Sequence, residues 1–129
     1  MTADEFWALI DTARSLADGD PDETAAAVER MLMERDPDEI YAYLEQEARV
    51  MERSYSWSLW GAAYITNGGC SDDGFDYWRG WLIAQGRDVF EAVLANPDSL
   101  TDLDVEIEDA ECEDMISAGG SSARPDSRR

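Results

Sequence analysis

The sequence predicts an all-α fold: one compact bundle of about six to seven helices, ending in a disordered polar tail. Three observations carry this. Helix-start signals recur along the chain, two of them as Asp, Pro and then Glu. Between them apolar residues return every three or four positions. No stretch alternates apolar and polar residues convincingly enough for a strand. With 129 residues and an apolar fraction of 44% the chain can bury a single core. The domain is expected over residues 1–116, with 117–129 as tail.

The first helix starts at Thr2 and Glu5, the pair that makes a capping box. Phe6, Leu9, Ile10, Ala13, Leu16 and Ala17 form its apolar stripe, and Gly19 stops it. Asp20, Pro21 and Glu23 start the second helix, buried through Val28, Met31 and Leu32. Asp36, Pro37 and Glu39 start the third, with Ile40, Tyr43, Leu44, Ala48 and Met51 as its stripe. A fourth, from about Tyr55 to Ile65, uses Trp57, Leu59, Trp60 and Ala63, either as a separate helix or as a kinked continuation of the third.

Asn67, Gly68 and Gly69 break the chain. The fifth helix spans about Asp72 to Gln85 and stops at Gly86. The sixth spans Arg87 to Leu94 and is buried through Val89, Phe90, Val93 and Leu94. "PDSLTDL" reads as a short helical turn, and "DVEIEDAECEDM" fits a strand or a frayed helix equally. From Gly119 onward the chain is small, polar and apolar-free, the composition of a disordered tail.

The charge narrows the function. Thirty acids face ten bases, every base is Arg, and neither Lys nor His occurs, for a net charge of -20. Phosphate binding needs a basic footprint, so direct nucleic-acid binding and binding to anionic membrane are not expected. Basic partners or cations are. The missing residue types remove histidine-based triads, histidine metal ligands, Schiff-base lysines and the phosphate-loop lysine. Two cysteines, Cys70 and Cys112, cannot build a four-cysteine zinc site. No long apolar segment or leader-like start is visible, so the chain reads as cytoplasmic and reduced, without a structural disulfide.

The remaining chemistry concentrates in "GGCSDDGFDYWRG", residues 68–80. On a helical wheel Phe75, Trp78 and Leu82 share a stripe, with Trp81 beside it. Arg79 falls at the edge of that stripe, in line with Asp72 and three residues after Asp76. Tyr77, Asp73 and Gly80 point the other way. A buried guanidinium needs carboxylate partners. Glu47, an acid on the apolar stripe of the third helix, is the long-range candidate. The expected network is Arg79 with Glu47, Asp72 or Asp76, structural or ligand-binding. Ser71, Asp72 and Asp73 also have a plain reading as helix cap and first-turn acids. Cys70 precedes a helix start, which lowers a thiol pKa, but adjacent aspartates oppose this and no histidine is present as base. The acids lack the spacing of a calcium loop.

Residues 55–100, with "LWGAA", "GGCSDDGFDYWRGWLIAQG" and "NPDSL", resemble a bacterial family, the domain-of-unknown-function family 4240. "FWALIDTAR" at residues 6–14 fits its usual opening. Trp78 stands where the family commonly has phenylalanine. The resemblance implies an α-helical bacterial cytoplasmic domain with an accessory role, no established activity, and Trp60, Asp72, Asp73, Arg79 and Gly86 as positions to test.

Two functional readings follow. The first is a non-catalytic interaction or regulatory module that binds a basic partner and needs no cofactor. The second is a hydrolase-like site in which Asp72 and Asp73, with Glu47, hold Mg or Mn while Arg79 holds an anionic substrate.

Overall fold

The structure, a computed structural model, describes residues 1–67, 71–102 and 111–116. These residues are mostly helical, joined by short turns, without a strand among them. The helices are α1 (Ala3–Leu16), α2 (Pro21–Met33), α3 (Pro37–Arg53), α4 (Trp57–Asn67), α5 (Asp72–Ala84) and α6 (Arg87–Ala95), followed by a 3₁₀ helix (Pro97–Asp102). The expected tail at 117–129, most of the ambiguous acidic stretch, and Cys70 lie outside the described residues.

Local chemistry explains the boundaries. Thr2 and Glu5 close a reciprocal capping box, the Glu5 N–H donating to Thr2 Oγ1 at 3.1 Å and the Thr2 N–H to Glu5 Oε1 at 2.8 Å. These bonds hold the Glu5 carboxyl below its ordinary pKa. Asp20 accepts from the Glu23 N–H at 2.8 Å, and Ser71 from the Gly74 N–H at 3.1 Å. Asp36 takes the cap position of α3 without a side-chain cap bond. The α3–α4 junction is a full break. Ser54 Oγ–H bonds back to the Val50 and Met51 carbonyls at 3.0 Å, and Ser56 Oγ accepts from the Leu59 N–H at 3.2 Å. One serine closes α3 and the next opens α4.

The α1–α2 hairpin is the most extensive pairing, and α5 packs against α1, α2, α4 and α6. Phe6 lies against Tyr43, and Trp7 against Phe90, each pair with ring centroids 5.1 Å apart. Arg87 ties α6 to Asp4 on α1 at 2.7 Å, and Arg53 ties α3 to Glu91 on α6 through two bonds of 2.7 and 2.9 Å. That fork raises the Arg53 pKa and lowers that of Glu91.

Several faces differ from the wheel expectation. Leu16 and Ala48 are exposed, and Trp7 is core. The buried face of α3 runs through Ile40, Tyr43, Gln46, Glu47 and Val50. Trp57, expected in the core, is 87% exposed. Gly80 is buried, and Tyr77, half-buried, gives its backbone carbonyl to a later segment. The Cys112 N–H donates to the Tyr77 carbonyl at 2.8 Å, and a Cβ on Gly80 would lie 2.4 Å from the Cys112 carbonyl oxygen. Residues 111–116 cover this side of α5, burying Cys112 and Met115. The small side of α5 is thus a seat for the chain's own later segment.

Candidate functional site

Arg79 is 4% exposed and sits where α3, α4 and α5 meet. Phe75, one turn earlier on α5, lies under its guanidinium with the ring centroid 4.6 Å away, and the Tyr55 ring lies 5.0 Å away. One terminal nitrogen donates to the Asp76 carboxylate, which is half-exposed. The other donates to the Met51 carbonyl, in the last turn of α3.

That second bond defines the residue's job. The last carbonyls of a helix lack intrahelical donors and carry the negative end of its dipole. A buried cation there adds a charged donor to a carbonyl that otherwise accepts only from the Ser54 hydroxyl, and is itself stabilised. Arg79 is an interhelical C-cap for α3, with two neighbouring aromatic rings against its guanidinium and Asp76 as its counter-charge.

Of the expected network, the structure brings together Arg79 and Asp76. Arg79 forms no ion pair with Glu47 or Asp72 among the described residues. Glu47 lies one turn of α3 before Met51, so Arg79 reaches the backbone at the helix end and not the acid on its stripe. Asp72 and Asp73 are exposed in the first turn of α5. Among the described residues no three His, Cys, Asp or Glu side chains converge as a metal site would require.

Glu47 is a separate feature. It is 8% exposed, and burial alone pushes its pKa up to about 8. Tyr43, one turn earlier and fully buried, has its phenol raised first by burial and then by Glu47. The Tyr43 hydroxyl finds no partner among the described residues. Cys112 is buried and free, with its thiol pushed up to about 12 mainly by burial, which makes it a poor nucleophile.

Two clefts, of about 410 and 420 Å³, open elsewhere. One lies among Met1, Leu9, Met31, Arg35 and Glu39, the other among Asp11, Arg14, Gly86 and Arg87. Glu47, Asp72, Asp73, Asp76 and Arg79 line neither, whereas Gly86, a position marked by the family resemblance, lines the second.

An aromatic series connects the Arg79 clamp to the surface. Phe75 stacks on Trp60 at 4.8 Å, and Trp60 on Trp57 at 5.9 Å. Sequence reasoning missed Tyr55 and the Met51 carbonyl as partners of Arg79. A backbone acceptor has no side-chain signature. The Phe75–Arg79 spacing of four, by contrast, was a readable sign of a helical cation–π pair.

The family model described as "Protein of unknown function (DUF4240)" matches residues 1–122. No curated protein and no solved structure matches the chain. No helix among the described residues is long and apolar enough to cross a membrane.

Proposed function

The chain belongs to the DUF4240 family, and on that premise we propose that it is a non-catalytic interaction or accessory module that receives a basic partner protein. One observation carries the reading. The cation in the acid-rich block is enclosed and neutralised, which leaves Asp72 and Asp73 facing solvent on a chain of net charge -20. An enclosed guanidinium is not free to hold an anionic substrate, so the hydrolase-like alternative lacks its anchor. The free, buried Cys112 suits a reducing bacterial cytoplasm.

The test is affinity capture from a bacterial host lysate at low salt, with Asp72→Asn/Asp73→Asn as control. The expected result is a basic protein that is released as salt rises and recovered less well on the variant. Capture that ignores salt, or a captured protein without basic character, refutes the reading.

A further inference from the structure

α4 is the only one of the six α-helices without a charged residue, reading "WSLWGAAYITN". A helix apolar on all sides is normally enclosed. Here Leu59 and Ala63 face the core, while Trp57, Gly61, Tyr64 and Ile65 fall on one outer arc of the helix. Trp57 is 87% exposed, Tyr64 58% and Ile65 80%, and a Cβ on Gly61 would meet nothing within 4 Å. The other exposed large apolar residues outside this region, Leu16, Met33 and Tyr41, are single residues on three different helices. Scattered singles are ordinary; a continuous stripe is not.

The charges beside the stripe say what covers it. Glu52 is exposed five residues before Trp57, and Asp72 and Asp73 are exposed seven and eight residues after Ile65. The nearby cations are already engaged, Arg53 with Glu91 and Arg79 inside the clamp. The stripe is about 12 Å long, some two helical turns, and exposed acids lie within eight residues of each of its ends along the chain. We propose that the outer face of α4 docks an amphipathic helix of a partner protein, with apolar residues seated around Gly61 and Arg or Lys flanking them on both sides. Spacings of four, seven and eight residues are those a helix presents to a facing helix. A second copy of this chain is disfavoured, because it would bring together two chains of charge -20. The proposal rests on the basic-partner reading and adds the place and the form of the partner.

The experiment uses the full chain and two peptides of about 18 residues, roughly five helical turns. Both contain only Leu and Lys, one in amphipathic register and one scrambled, and binding is measured by calorimetry. The patterned peptide is expected to bind about tenfold tighter or better. Ile65→Asp and, independently, Trp57→Ala are expected to erase that preference, and both sites are exposed enough to leave folding intact. Equal binding of the two peptides, or a preference that survives both variants, overturns the docking site and leaves the basic-partner reading standing. Binding of neither peptide overturns both. A wild-type dimer that Ile65→Asp converts to monomer assigns the face to a second copy and overturns the proposal.

Discussion

Replacing Glu47 by Gln should stabilise this protein, and more so as pH rises. The side chain is buried in the middle of α3, forms no ion pair with a described residue, and has its pKa raised by burial from 4.5 to about 8. Between those values the folded chain holds a proton that the unfolded chain has released. Stability therefore falls as pH rises through that window and levels off above about 8. A difference of that size costs folding about 5 kcal/mol once both states are ionised, and about 3 kcal/mol at pH 7. Against a typical total of about 5–15 kcal/mol this is a large share. Gln keeps the shape of the neutral acid and does not titrate. The assay is urea unfolding of wild type and Glu47→Gln from pH 5 to pH 9. The curves should nearly meet at pH 5 and diverge steadily to pH 8, with the variant more stable. Taking the difference between the two proteins cancels the contribution of every other carboxylate. Parallel curves across the range would refute the reasoning, because they would mean that Glu47 ionises as freely when folded as when unfolded.

Three further outcomes follow from the geometry. Arg79→Leu removes the cap of α3 and both ring contacts and should cost about 2–4 kcal/mol in urea unfolding; Arg79→Lys should recover only part, because an ammonium lacks the planar fork. Gly80→Ala forces a Cβ against the Cys112 carbonyl and should cost about 1–3 kcal/mol. It should also expose the Cys112 thiol, measured as faster alkylation at pH 8 in a Cys70→Ser background, where the unmutated seat keeps that thiol inert. Gly86→Ala should lose about 1–2 kcal/mol by thermal melting, since φ is 96° there and a Cβ would lie 2.7 Å from Asp11 Oδ1.

The helices were legible because their signals are local. Thr2 with Glu5, Asp20 with Pro21, and Ser71 before two aspartates mark starts whose bonds close within three or four residues. Gly19 and Gly86 mark stops or turns through their backbone freedom, and both have positive φ. The core face of α5 was legible too, since Phe75, Trp78 and Leu82 must share a side at 3.6 residues per turn. Faces were misread where an apolar residue lies outside the packed arc. Leu16 is the last residue of α1 and is exposed. Trp57 opens a helix whose inner side is already filled by Leu59 and Ala63.

The sequence by itself determined an all-α chain, the starts of its helices to within about two residues while leaving the α3–α4 break open, and a chemistry limited to carboxylates, arginine, tyrosine and thiols. It also marked Arg79 as a cation at the edge of a core. Only the tertiary structure decided what Arg79 holds, because its partner is the Met51 carbonyl and every residue carries one. Only the tertiary structure turned Gly80 from an outward position into the seat of residues 111–116, and left the outer face of α4 bare. Both outcomes depend on which segments arrive beside a helix from far along the chain. Periodicity within the helix carries no record of that.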